Sequence, residues 1–317
     1  MNKKGIAVSV LVFGLFLLNA VTLAAAGAMQ ENQTLPPVGM MPVLAGSFTM
    51  GNDFSAGSSG DSPLHEVYVS DFYMDTHEVT KALWDSVATW AVGNGYDIAP
   101  SSGSGKDADH PVYGVSWYEA VKWANARSEM ESLSPCYYTD GAMKFVYRTG
   151  NVDIQNDWVD WSANGYSLPT EAQWEKAARG GCQGHRFPWC DSDTIEQSRA
   201  NYYSDAYYNY DTSSTRGDHP AYATGGYPYT APVGSFQPNG YGLYDTAGNI
   251  LEWCWDWYQA DPSAGENPYG PSSGTYRIDR GGSWYHDASR CPVARRHYLV
   301  PDTEANTLGF RLVRNVL

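Results

Sequence analysis

The stretch Arg280-Gly281-Gly282-Ser283-Trp284-Tyr285-His286-Asp287-Ala288-Ser289-Arg290-Cys291 decides how the rest of the chain is read. Paired glycines ahead of Ser-Trp permit a backbone approach that a Cβ would block. Strand-like runs flank it, Tyr276 to Arg280 before and Leu308-Gly309-Phe310-Arg311-Leu312-Val313-Arg314 after. A cysteine, a histidine and several arginines therefore sit in a window held at both ends, where a ligand or a reaction is expected.

Upstream, regular patterning is sparse. Met41 to Gly51 reads as one strand, and the alternation from His65 to Met74 as a second. Thr80 opens a helix whose apolar face is Leu83, Trp84, Val87, Ala88 and Ala91, with Gly93 beyond it. Ser116 with Glu119, and Thr170 with Gln173, form capping boxes for two more helices, the latter stopped by Gly180. From Gly181 to Gly240 no period is visible, and loops of that length are functional or stabilised by a bound ion. Strands, helices, a large loop region and closing strands define an α+β chain in one domain, about residues 38–315.

Residues 1–28 read as a signal peptide. Lys3 and Lys4 precede an apolar run from Ile6 to Leu23, and Ala24-Ala25-Ala26 or Ala26-Gly27-Ala28 suits cleavage. An exported protein is expected, periplasmic or extracellular, with no integral membrane segment after cleavage; an uncleaved tether is the alternative. The net charge of −15 becomes −17 without Lys3 and Lys4, which excludes a phosphate-backbone partner. Of five cysteines, Cys182 and Cys190 are placed to close a short disulfide loop, the alternative being two buried thiols. No Gly-x-Ser-x-Gly elbow supports hydrolysis, and no histidine pair has the short spacing of a metal triad. Cys254, within Trp253-Cys254-Trp255-Asp256-Trp257, reads as core packing.

Several segments, taken in order, resemble a known family. They are Phe48-Thr49-Met50-Gly51, Asp75-Thr76-His77-Glu78-Val79-Thr80, Pro111 to Trp117 and Leu168 to Glu175 in the first half. Pro232-Val233-Gly234-Ser235, Asn239 to Asp245, Gly248-Asn249, Glu252-Trp253, Gly281-Gly282-Ser283 and Gly309-Phe310-Arg311 follow. Together they resemble the formylglycine-generating enzyme, or sulfatase-modifying factor, domain. The resemblance implies a variant of the C-type lectin-like fold and oxidation of a Cys-x-Pro-x-Arg cysteine with copper and oxygen.

In that family two thiolates hold Cu(I), soft sulfur suiting a soft ion. The first cysteine stands three residues after Gly-Gly-Ser and the second five later; here these places are His286 and Cys291. Leu251 and Thr307 replace an aromatic and an asparagine of the family's pattern. The resemblance also implies calcium, held by the side chains of Asp245 and Glu252 and the carbonyls of Gly248 and Ile250. A second calcium site would use Asn201 and the carbonyls of Tyr202 and Tyr227, with Gly225 where its acid belongs.

The expectation is a calcium-stabilised ligand-binding or accessory module for a protein or peptide, without the full copper site. Trp284, Tyr285, Asp287, Arg290 and Arg296 would line its ligand face. One alternative is a metal-dependent oxidase acting through His286, Cys291 and Ser283. Another is a variable ligand-binding protein of a diversity-generating retroelement. Tyr285, His286 and Asp287 are each one base change from asparagine, as adenine mutagenesis would leave them.

Overall fold

A computed structural model of the chain describes residues 35–52, 54, 63–99 and 101–316. The expected signal peptide lies outside these residues. The chain divides into Met1–Pro36 and Pro37–Leu317, and the second unit is described below.

Each of the two strands expected near the start is bent into two. β1 (Met40–Val43) and β2 (Gly46–Met50) follow one another, as do β3 (His65–Val69) and β4 (Phe72–Asp75). β1 pairs antiparallel with β4, and β2 with β3, in separate sheets. The corner is fixed by Lys176, whose buried ammonium donates to the carbonyls of Gly46 (2.7 Å) and Val69 (3.2 Å). A corner of this kind frees carbonyls from the ladder, and burial requires that they find another donor.

Among the described residues three α-helices form, each where its cap places it. α1 is Lys81–Val92, with Thr80 Oγ1 accepting from Leu83 N and Trp84, Val87, Ala88 and Ala91 buried. α2 (Trp117–Met130) and α3 (Glu171–Ala178) carry both capping boxes. Trp84 of α1 stacks on Trp123 of α2 at 5.7 Å, and Phe310 meets both rings edge-on.

β5 (Tyr166–Ser167), β6 (Leu251–Trp257), β7 (Gly265–Glu266), β8 (Arg277–Arg280), β9 (His297–Leu299), β10 (Leu308–Gly309) and β11 (Val313–Asn315) complete the set. The sheets are ordered β1-β4-β11-β5, β10-β6-β8-β9 and β2-β3-β7. The single closing strand expected at 308–314 is divided, because Phe310–Leu312 crosses from β6 to β4: Phe310 O accepts from Val79 N, and Asp75 N donates to Leu312 O.

β6 was not expected from the sequence. Its charged residues, Glu252 and Asp256, look like a solvated edge, yet every residue of the strand is buried. Between α3 and β6 no helix or strand occurs among the described residues. That region is held by the Cys182–Cys190 disulfide (Cα–Cα 5.5 Å), as the spacing suggested. Asp211 is its polar centre, accepting from Tyr202 OH (2.7 Å), Ser204 Oγ (2.9 Å) and Asp205 N (2.9 Å).

Burial, and then the Glu171 carboxylate, push the Asp256 carboxyl up to about 7. Folded Asp256 thus keeps a proton that the unfolded chain releases near pH 4, so its favourable contribution is present below about pH 4 and is lost as pH rises through 7. Asp256→Asn is expected to flatten that part of the stability–pH curve in urea unfolding between pH 4 and 7. An unchanged slope would contradict the assignment.

Candidate functional site

β8 ends at Arg280 and delivers the chain into the double-glycine turn. Gly282 has φ +76°, and a Cβ there would lie 2.9 Å from both Arg290 O and Cys291 Sγ, so only glycine fits. Gly281 O accepts from Gly248 N (2.8 Å), and Trp284 N donates to Asn249 O (2.8 Å). These two bonds lock the turn against the 245–249 loop. Ser283 is fully buried; its Oγ shares a 2.8 Å hydrogen bond with His286 Nδ1 and accepts from Tyr285 N. Asp287 Oδ1 accepts from Ser289 N and Oγ, starting a short 3-10 turn, Ala288–Arg290.

His286 and Cys291 have different surroundings. The His286 ring lies against Tyr285 and 6.4 Å from the ring of His297, whose Nδ1 is 2.7 Å from buried Asp279. Burial, then Arg290 and His297, lower its pKa to about 4, so the ring is neutral at pH 7. The Cys291 sulfur points to Asp287 O and packs in an apolar cluster with Phe187, Ile195, Tyr202 and Tyr210. Burial, followed by Asp287 and Asp211, drives its thiol far above the ordinary range. A cysteine binds Cu(I) as its thiolate, and this sulfur is buried as a neutral thiol among apolar side chains. The copper pairing of His286 with Cys291 does not fit the residues present.

The expected ligand face is also revised. Tyr285 is 61% exposed, and Asp287 and Arg290 are half-buried. Trp284, by contrast, is buried beneath Tyr227 and Tyr229. Arg296 is buried as well, spent on Glu171 at 2.6 and 2.9 Å, because a guanidinium removed from water requires a carboxylate.

In the turn expected to hold calcium, the two carboxylates are engaged differently from each other. Asp245 (φ 56°) and Asn249 (φ 63°) take the left-handed conformation around Gly248. Asp245 Oδ2 accepts from Gly234 N at 2.6 Å, and its buried Oδ1 has no partner. Glu252 is occupied: Oε2 accepts from Arg311 Nε and Trp174 Nε1, and Oε1 from Arg311 Nη2, each at 2.7 Å.

A residue the sequence did not single out supplies the other free oxygen. Glu78, fully buried, uses Oε1 for Asn249 Nδ2 (3.1 Å) and leaves Oε2 unpartnered. Burial, and then Asp245, raise its pKa well above the carboxylate range; burial raises that of Asp245 too. Orphaned buried oxygens of this kind fit a hard cation. Glu78 lies 171 residues from Asn249 in sequence, and no local pattern marks it. At the second turn Asn201 Oδ1 is likewise buried and unpartnered, but the Tyr202 carbonyl is taken by Gln197 Nε2 (3.1 Å). No group of three or more His, Cys, Asp and Glu side chains converges on a metal position among the described residues.

Among the described residues, short mixed sheets, three α-helices and a long wired loop region ending in a buried glycine turn define an α+β domain of the lectin-like kind. A family profile described as the sulfatase-modifying factor enzyme 1-like domain matches residues 25–316. Formylglycine-generating enzyme of Bos taurus is 34% identical over 312 residues, covering 90% of this chain and 77% of the relative. That of Streptomyces coelicolor is 33% identical over 299 residues, covering 86% and 88%. Among solved structures, Treponema denticola variable protein 1 superposes with a TM-score of 0.63 at 30% identity, covering 87% of this chain and 94% of its own. CarF superposes at 0.64 with 28% identity, covering 88% and 99%. The chain belongs to the sulfatase-modifying factor (formylglycine-generating enzyme-like) family and has that family's variant of the C-type lectin-like fold.

Glu252→Gln breaks a fully buried ion pair and is expected to cost about 3–5 kcal/mol in chemical denaturation. Adding Arg311→Gln should recover part of that loss, because the stranded guanidinium is then gone. Full additivity of the two substitutions would show that the pair is not a unit.

Proposed function

We propose that this chain is an exported binding or accessory domain for a protein or peptide, built on the formylglycine-generating-enzyme scaffold without its copper chemistry. The observation that carries this reading is the full burial of Cys291 in an apolar cluster. Beside it, Tyr285 and Tyr227 stand exposed, a side-chain type suited to rigid contact with a partner. Purified protein supplied with Cu(I), oxygen and a Cys-x-Pro-x-Arg peptide is expected to form no aldehyde. Aldehyde formation that Cys291→Ser abolishes would overturn the reading in favour of an oxidase.

Calcium belongs to the same proposal. Asp245 and Glu78 would supply carboxylate oxygens, with the carbonyls of Gly248 and Ile250 completing the shell, while Glu252 stays with Arg311. The ion would neutralise buried negative charge and tie the 245–250 turn to the start of α1. Calcium should raise the melting temperature of chelator-treated protein, and Asp245→Asn should remove most of that rise. No shift in the wild-type chain would contradict calcium at this turn.

The similarity to a protein whose name is "variable protein 1" favours one second reading, a variable ligand-binding protein of a diversity-generating retroelement. A template repeat and a reverse-transcriptase gene beside the locus would support it, and their absence there would sink it.

A further inference from the structure

The corner between β3 and β4 borders a cavity of about 120 Å³ that shares no residue with the double-glycine turn. Ser70 and Asp71 form one wall, Gln173 in the first turn of α3 another, and Asn315 of β11 a third. Trp161, Asn267 and Tyr269 close it. Trp161 and Tyr269 are stacked on each other, their ring centroids 4.0 Å apart and their planes within 16° of parallel.

Three carboxamides line this cavity, and internal hydrogen bonds fix the orientation of each. Gln173 Oε1 accepts from Thr170 N at 2.9 Å, as the capping box requires, while its Nε2 has no partner among the described residues. Asn315 Nδ2 donates to the carbonyls of Trp161 and Ala163, each at 2.8 Å, which leaves its Oδ1 unpaired. Asn267 Oδ1 accepts from Ser70 N at 2.8 Å, and its Nδ2 donates to Ser70 Oγ at 3.0 Å. The Ser70 hydroxyl, used as an acceptor, keeps its proton for another group. Exposed Asp71 accepts no hydrogen bond among the described residues. The unpaired atoms of Gln173 and Asn315 are not sealed within the protein. Side chains already held still thus present a donor, two acceptors and a hydroxyl, so little ordering is left for a ligand to impose.

Charge favours a neutral ligand. Asp71 is the only charged side chain on these walls among the described residues, and it repels an anion. Val69 also lines the cavity, and its carbonyl accepts from the Lys176 ammonium at 3.2 Å, a charge that opposes a bound cation. Acceptors on Asp71 and Asn315 beside a donor on Gln173 suit groups that both give and accept hydrogen bonds, as hydroxyls do. Several hydroxyls on one ring would engage them together, with the ring's C–H edge against Trp161 and Tyr269. An apolar ligand would strip water from the polar atoms and leave them unpaired.

We propose that this cavity is a binding site for a neutral hexopyranose. It is a site additional to the protein or peptide surface beside Tyr285, and its failure would leave that reading where it stands.

The test is titration of the full, isotope-labelled chain with glucose, galactose and mannose, each free and as its methyl glycoside. Binding is read from the side-chain amide signals of Asn267 and Asn315. At least one of these sugars should bind with a dissociation constant of about one millimolar, within reach of a ligand of this size. Binding of the glycosides marks the end of a glycan as the ligand, and binding of the free sugars alone marks a monosaccharide. Gln173→Glu keeps the cap acceptor and removes the amide donor; it and Asp71→Ala should each weaken binding about tenfold or more. Asp302→Asn, at an exposed position off these walls, should leave binding unchanged. Cyclohexanol, which has one hydroxyl, and acetylglutamine methylamide, which stands in for a peptide carboxamide, should not compete. No shift with any sugar up to about ten times that concentration would overturn the proposal. So would undiminished binding in both Gln173→Glu and Asp71→Ala, or tighter binding of cyclohexanol or the carboxamide.

Discussion

Arg311 enters the middle of the fold from near the end of the chain and meets Glu252 there, both side chains fully buried. Two of its nitrogens grip the carboxylate, and Nη2 also donates to Tyr244 O at 2.8 Å, while Nη1 lies over the carbonyls of Asp75 and Thr76. Trp174 of α3 donates to the same carboxylate. One ion pair thus fixes β6, α3, the end of β4 and the approach to Asp245 relative to one another. Isolated burial of either charge would be prohibitive, so the elements that bring them together must assemble jointly.

The same device recurs around it. Glu175 accepts from Arg179 and Arg280, Glu171 from Arg296, and Asp75 from Arg127, all buried. Arg277 has a different solution. Its guanidinium lies between the indoles of Trp117 (3.7 Å) and Trp257 (3.5 Å), and burial lowers its pKa to about 9. A fold with so little helix and strand has many backbone and charged groups that no ladder satisfies. Specific side-chain pairs must therefore replace the ladder as the source of a unique structure.

Local chemistry was what the sequence made legible. Thr80, Ser116 and Thr170 mark helix starts because their hydroxyls act within three residues, and the family resemblance supplied the order of the remaining motifs. The corners at Gly46 and Val69 were hidden because Lys176, which holds them, lies more than a hundred residues away. β6 was hidden because Glu252 was read as a calcium ligand and the partners that let Asp256 be buried lie far away in sequence. At the site, Gly281-Gly282-Ser283 was readable as a tight turn, and the turn is there. The direction of the Cys291 sulfur was not readable, because it is set by Phe187, Ile195 and Tyr210 in a segment without pattern. Glu78 was missed and Arg296 misjudged for the same reason: what each side chain meets is decided by distant residues.

The double-glycine turn is thus formed, while Cys291 beside it in sequence is part of the core. The most direct check is a competition titration of reduced, folded protein against a Cu(I)-specific chelator, run on the wild type and on Cys291→Ser. The account predicts no stoichiometric copper bound by either protein. One equivalent bound tightly by the wild type and lost in Cys291→Ser would contradict it.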